Sequence, residues 1–276
     1  MKEDLARLQE DIGPRYRLSR EIGSGAMATV YLADDGDRGG QVAVKVLRRE
    51  LTVVLGATRF HREIEILSRL EHEHIVPVLD SSQAGARLYY VMPYFPGDSL
   101  RARLDRGSLL SLSETASIAG DVAAAIDYAH AQGVLHRDIK PENVLLDADA
   151  ALVCDFGVAR AIEAAGGESF SSSGLVIGTP AYMSPEQTVG GPVGRRSDIY
   201  GLGCLMYEML AGEPPFTGVS SQAILARKLS EQPRPLRTVR PEIPSALDEA
   251  ILAALSLRPE HRPPTAMRLA QECPAL

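Results

Sequence analysis

The sequence predicts an α+β chain in two lobes, a small one built mainly of strands with one main helix and a larger one built of helices. Three observations carry this. The 276 residues suit two compact bodies and leave no room for a further domain. Strand-like runs bounded by turn residues fill the first third of the chain. Helical periodicity dominates from residue 99 onward. The boundaries so drawn are a helical extension over 1–15, a small lobe over 16–92, a hinge over 93–98 and a large lobe over 99–276.

Each element has its own signal. Leu5, Leu8 and Ile12 recur at helical spacing among charges, which predicts a short amphipathic helix packed on its own lobe. Tyr16 to Val46 reads as strands, with turns at Gly23-Ser24-Gly25 and Asp35-Gly36-Asp37. Residues 58–70 place Phe60, Ile64, Leu67 and Leu70 on one helical stripe. Two more strands end in Tyr89-Tyr90-Val91-Met92. Pro93 to Asp98, with two prolines and a glycine, reads as the hinge. Helices are then expected over 113–132, 196–211, 220–231 and 245–256.

Composition narrows the function classes. The formal charge of −7 argues against a nucleic-acid surface, which is usually basic. Three cysteines, Cys154, Cys204 and Cys273, show no metal-ligand spacing and read as reduced thiols of a cytosolic protein. Cys154 reads as buried and inert. No N-terminal stretch has the form of a signal peptide. The most apolar window, Ile199 to Leu210, is too short to span a bilayer and carries Glu208. The chain as given is therefore expected to be soluble and cytoplasmic, with no membrane segment.

The chemistry concentrates in two segments. Residues 136–143 read His-Arg-Asp-Ile-Lys-Pro-Glu-Asn, and Asp155-Phe156-Gly157 follows a short apolar strand. Moving a phosphoryl group from a nucleotide to a hydroxyl needs a proton acceptor, a cation and metal ligands. Asp138 can accept the proton. Lys140 can offset charge on the transferring group. Asn143 and Asp155 are hard oxygen donors of the kind magnesium prefers.

With Asn143 five positions after Asp138, these segments match the catalytic-loop pattern of the eukaryotic-like protein kinases, and the chain resembles the bacterial Ser/Thr kinases of that family from about Tyr16 to about Ala270. The resemblance implies the bilobal protein-kinase fold and phosphoryl transfer from ATP with Mg2+, or Mn2+ in its place, to Ser or Thr hydroxyls of protein substrates. Lys140 and Thr179 favour these acceptors over Tyr. Thr179 is expected to bond Asp138 and Lys140. By the same resemblance Ile22, Gly23, Ser24, Gly25, Ala26 and Val30 belong to the glycine-rich loop over the phosphates, although Ala28 stands where the family has its third glycine. Lys45, in Val42-Ala43-Val44-Lys45, would hold the α- and β-phosphates and pair with Glu63, chosen over Glu65 because it shares the helix side of Phe60 and Leu67. Met92 is the gatekeeper. The Pro93 carbonyl and the Phe95 N–H would meet the adenine, sandwiched by Val30, Ala43 and Leu145. Asp155 and Asn143 are the metal positions.

Gly166 to Gly174 is the middle of an activation segment carrying Ser169, Ser171, Ser172 and Ser173, with autophosphorylation expected at Ser171 or Ser173 beside an Arg137 clamp. Residues 178–186, Gly-Thr-Pro-Ala-Tyr-Met-Ser-Pro-Glu, resemble the substrate platform. A Glu186–Arg262 ion pair and an Asp198 anchor for the catalytic-loop backbone are expected. Trans-autophosphorylation would need a transient homodimer. Many bacterial relatives continue into a membrane span, so the native protein is open to being a longer membrane-anchored kinase with this as its cytosolic domain. The alternative reading is an ATP-binding scaffold of the same fold without catalysis.

Overall fold

The computed structural model describes residues 2–148, 150–156 and 179–273. They form two compact units. One gathers residues up to 71 together with 76–96, and the other gathers 72–75 and the described chain from 97 on.

In the first unit, helix α1 (Lys2–Ile12) precedes strands β1 (Tyr16–Ser24), β2 (Ala28–Asp35) and β3 (Gln41–Leu47), helices α2 (Arg49–Leu55) and α3 (Ala57–Leu67), and strands β4 (Asp80–Ala84) and β5 (Arg87–Pro93). The five strands form one antiparallel sheet in the order β1-β2-β3-β5-β4. Alternation along each strand sorts the side chains into two faces. Val42, Val44 and Val46 on β3 share a face with Tyr89 and Val91 on β5, and this face packs with Leu8 and Ile12 of α1. The opposite face therefore carries the residues between them, Ala43 and Lys45, with Val30 facing Lys45 and Met92 facing Ala43.

Helix α1 docks on its own sheet, as its apolar spacing predicts. Gln9 fixes the join: its amide nitrogen donates to the carbonyls of Gly13 (2.9 Å) and Tyr16 (3.0 Å), and its oxygen accepts the Leu18 N–H (2.7 Å). The expected helix over 58–70 is shorter, ending at Leu67, although Leu70 is buried beyond it. Helix α2 was not foreseen; Gly56, at φ +69, separates it from α3. Sheet pairing also runs one residue past Met92, since Pro93 lies opposite Val42.

In the second unit come α4 (Leu100–Asp105), α5 (Leu112–Ala131), a hairpin of β6 (Val144–Asp147) and β7 (Ala150–Val153), α6 (Pro185–Thr188), α7 (Arg195–Ala211), α8 (Ser221–Ser230), α9 (Ser245–Ala254) and α10 (Ala266–Ala270). Ser111 and Glu114 close a capping box at the start of α5. The four helices expected from periodicity stand within two residues of their predicted ends. Helix α7 is buried all round from Ser197 to Leu210, as a central helix must be.

Two glycines permit close approaches that position the site. A Cβ on Gly201 of α7 would stand 2.9 Å from the Ile139 Cβ, so glycine lets the loop before β6 lie against the helix. A Cβ on Gly97 would stand 1.9 Å from the Leu146 carbonyl oxygen. Gly97→Ala must displace backbone and should cost about 1–3 kcal/mol, as overpacking does. Gly120→Ala in α5, where the added methyl meets nothing within 4 Å, should be neutral or stabilising. Paired thermal melts check this: Gly97→Ala should lower Tm and Gly120→Ala should not.

Candidate active site

The hairpin of β6 and β7 brings the chemical groups together. Val144 faces Val153, so Asn143 and Cys154 meet at its open end, where the Cys154 N–H donates to the Asn143 carbonyl at 3.0 Å. Asp155 follows directly. On the other strand, a single 3-10 turn over Pro141–Asn143 carries the chain back to Lys140 and Asp138. Lys140 Nζ donates to Asp138 Oδ2 at 2.5 Å, with each side chain only 15% exposed. Asn143 Nδ2 donates to the Asp138 carbonyl (2.8 Å) and to Oδ2 (3.2 Å). Both side-chain bonds fall on Oδ2, so Oδ1 is the carboxylate oxygen left to accept a hydroxyl proton. The same bonds fix the Asn143 amide, so its Oδ1, the hard oxygen, is the atom presented away from Asp138.

The loop that carries these groups is held in an uncommon backbone. Arg137 (φ +70) and Asp155 (φ +67) lie in the left-handed region, which non-glycine residues seldom adopt. Asp198, in the first turn of α7, holds the loop by accepting the backbone N–H groups of His136 (2.9 Å) and Arg137 (2.6 Å). Its carboxylate also accepts from His130 Nε2 at 2.7 Å. The side chain of Gln187 donates to the Arg137 carbonyl at 2.8 Å. His136 Nδ1 accepts the Asp138 N–H (3.2 Å), so Nε2 bears the ring proton and donates to the Cys154 carbonyl (2.9 Å). The fully buried His136 ring meets Phe156 edge-on at 4.6 Å, and in this way links the 136–138 loop to the backbone beside Asp155.

Among the nucleotide-site candidates of the sheet, Val30, Ala43, Lys45 and Met92 share one face. Ile22, Gly23 and Ser24 end β1, and Gly25 and Ala26 lie in the turn to β2, whose Gly25 N–H donates to the Ala28 carbonyl at 2.9 Å. A Cβ added at Gly23 or Gly25 would meet nothing nearer than 3.9 Å. Packing within the unit therefore does not require glycine at either position, whereas close approach of a phosphate would. Phe95 is half-buried. Leu145, in the second unit, bridges to Ser99. Glu65 pairs with Arg69 in solvent, as a surface charge should. Glu63 is half-buried on α3.

Sequence reasoning missed several residues that shape the site. Arg48 donates through Nε (3.0 Å) and a terminal nitrogen (2.8 Å) to the Gly25 carbonyl and so clamps the glycine turn. Arg101 of α4 gathers Glu142 (3.1 Å), Glu208 (2.9 Å) and the Tyr182 hydroxyl (2.6 Å), and that hydroxyl also donates to Glu208. Burial, with Glu208 alongside, pushes the Tyr182 phenol well above its ordinary range. Periodicity carries no signal for such pairs, because the partners lie far apart in sequence.

Beyond the 136–156 region, the expected Glu186–Arg262 pair is present and bidentate, at 2.7 Å for each bond, with the Arg262 side chain fully buried. Ser197 adds a third bond to Glu186 at 2.5 Å. Burial alone would raise the Glu186 carboxyl; the Arg262 and Ser197 hydrogen bonds outweigh it and hold the group below its ordinary 4.5. Thr179 contributes its carbonyl to the Tyr182 N–H (3.0 Å). Thr179 is the first described residue after position 156. Gly157, Gly178 and the activation-segment serines Ser169, Ser171, Ser172 and Ser173 lie outside the described residues.

Among the described residues no cluster of three or more His, Cys, Asp or Glu side chains offers a metal cage. An Asn and an Asp at one hairpin end fit instead the magnesium habit of taking one or two protein oxygens and completing its shell with phosphates and water. Residues 16–273 match the protein kinase domain family. The chain belongs to the protein kinase family. It is 39% identical to the serine/threonine-protein kinase PknB of Mycobacterium tuberculosis over 264 residues, 94% of this chain and 42% of that protein. It is 39% identical over 257 residues to a probable serine/threonine-protein kinase of Streptomyces coelicolor, covering 91% of this chain and 38% of that protein. A probable PknB of Bifidobacterium longum is 38% identical over 265 residues, 92% of this chain and 38% of that protein. The chain thus spans less than half the length of these relatives. The fold is the α+β protein-kinase fold, and the family as a whole uses ATP with a divalent metal. No helix among the described residues is long and apolar enough to cross a membrane.

Glu186→Gln should destabilise the protein by about 3–5 kcal/mol, because it leaves Arg262 as an uncompensated buried charge. A carboxyl held low in the fold contributes stability above its unfolded value and loses it as pH falls through the folded value. The wild-type Tm should therefore drop as pH falls below about 4.5, and Glu186→Gln should lack this part of the acid limb. Calorimetry from pH 7 to pH 3 measures both.

Proposed function

We propose that the chain is a serine/threonine protein kinase that transfers the γ-phosphoryl group of ATP to Ser or Thr hydroxyls of proteins. The observation that carries the reading is the Asp138–Lys140–Asn143 cluster, closed by bonds of 2.5–3.2 Å beside Asp155. The names of the relatives support Ser/Thr acceptors, and so does Lys140, which lies within one bond of the proposed base.

In this reading Asp138 Oδ1 orients the acceptor hydroxyl and takes its proton late, since phosphoryl transfer is loose and positioning dominates. Lys140 offsets charge on the transferring group. Lys45 holds the α- and β-phosphates, and Glu63 pairs with it in the active state. Ile22, Gly23, Ser24, Gly25 and Ala26 cover the phosphates, and Val30, Ala43, Met92, Phe95 and Leu145 hold the adenine. Asn143 and Asp155 hold Mg2+, or Mn2+, which when bound supplies charge neutralisation at the phosphates. Thr179 tunes the acceptor side. Residues 1–15 are an extension, 16–92 the small lobe, 93–98 the hinge and 99–276 the large lobe. Activation proceeds by phosphorylation at Ser171 or Ser173 in a transient homodimer, in the cytoplasm.

Labelled ATP with magnesium and a generic protein substrate tests the reading. Wild type should transfer label, and Asp138→Asn and Asp155→Asn should each lose roughly 10²-fold or more. A folded wild type that transfers nothing would favour a non-catalytic scaffold.

A further inference from the structure

Helix α8 is attached to the rest of its unit in an unusual way. Of its ten residues only Lys228 is buried, at 2% exposure, while Leu229 is 39% exposed and the others are half-buried or exposed. A helix that needed only anchorage would bury Leu or Ile, because a buried ammonium costs free energy that an alkyl group does not. The lysine spends all three of its donors on one short stretch of backbone. Nζ donates to the carbonyls of Pro180 (2.7 Å), Ala181 (3.1 Å) and Met183. The Tyr200 ring lies alongside, 5.2 Å from Nζ to the centroid.

The recipient stretch has little other support of its own. Among the described residues its backbone makes one turn bond, from the Tyr182 N–H to the Thr179 carbonyl, before Ser184 caps α6. Among the described residues, Lys228 is the hydrogen-bond partner of the Pro180, Ala181 and Met183 carbonyls. Among the described residues no carboxylate forms an ion pair with the ammonium. Burial therefore lowers it, to about 8, with the Cys204 thiol and Glu186 opposing the shift from nearby. The cation is retained although the site penalises it, and what it achieves there is the path of residues 180–183.

We infer that Lys228 is a positioning residue for the protein acceptor, pinning the backbone of residues 180–183 to α8 and so setting affinity for the polypeptide substrate without touching the nucleotide. The inference rests on the kinase reading, in which residues 178–186 are the platform for the acceptor. The phenol of Tyr182 is fixed by Arg101 and Glu208, so the platform is held by its side chain on one side and by its carbonyls on the other. Removing the lysine leaves three inward carbonyls unpaired, which favours another path for the stretch.

Steady-state kinetics on Lys228→Met and Lys228→Gln test this. Methionine keeps the length and burial and removes every donor; glutamine keeps two donor hydrogens and no charge. The expected result for Lys228→Met is a rise of about tenfold or more in KM for the protein substrate. KM for ATP, and ATP hydrolysis without acceptor, should stay within about twofold of wild type on the same free-energy scale. Lys228→Gln should fall between the two, and it carries the test if the methionine variant does not fold. An unchanged acceptor KM, an equal rise in both KM values, or failure of both variants to fold would overturn the inference, the last by assigning Lys228 to the scaffold. A wild type that transfers nothing sinks the kinase reading; a wild type that transfers beside indifferent variants sinks only the role of Lys228.

Discussion

Asp198 sits in the first turn of α7, 2% exposed, and its two carboxylate oxygens accept three N–H groups from outside its helix. Two of the three are consecutive backbone amides, those of His136 and Arg137. A left-handed Arg137 is costly on its own, of the order of 1–3 kcal/mol, and persists only where the surroundings over-determine it. Charge-assisted bonds from a buried carboxylate are strong enough to do so. The helix helps, because an anion in the first turn lies near the positive end of its dipole. Gly201, one turn on, gives Ile139 room to lie against the same helix.

From this anchor the geometry propagates in short steps. Once residues 136–137 are placed, His136 receives the Asp138 N–H on one ring nitrogen and reaches the Cys154 carbonyl with the other. One imidazole thus sets the spacing between the proton acceptor and the residue before Asp155. Asn143 closes the figure from the far side, bonding both the backbone and the side chain of Asp138. The result is a small polar network with few spare donors, of the kind that rigidifies when every member is satisfied. Lys45 and the glycine turn belong to the other unit, where the sheet register alone puts Val30, Ala43, Lys45 and Met92 on one face.

Much of this was legible in the chain. The period-two alternation of β3 separates Val42, Val44 and Val46 from Ala43 and Lys45, and the three valines join one apolar cluster with Leu8, Ile12, Tyr89 and Val91 that does not include Ala43. The helices α5, α7, α8 and α9 declare themselves through spacing, and Glu186, Arg262 and Asp198 through motif. What escaped has a common cause. Arg101 meets Glu208 across 107 positions, Arg48 meets Gly25 across 23, and Lys228 meets Met183 across 45. None of these pairs shares a periodicity, and a lysine or arginine in a polar stretch reads as solvated until the fold buries it. Helix α2 was missed for a local reason: Gly56 interrupts what would otherwise read as one longer run.

The role of Asp198 can be measured directly. Asp198→Asn replaces one acceptor oxygen with a donor where N–H groups already converge, so the 136–137 backbone loses part of its hold while Lys45, Asn143 and Asp155 are untouched. On folded protein, ATP affinity should stay within about twofold. Phosphoryl transfer should fall by roughly 10²-fold, since misplacement of a reacting group by an ångström costs that much. Transfer at the wild-type rate by a folded Asp198→Asn protein would contradict the account.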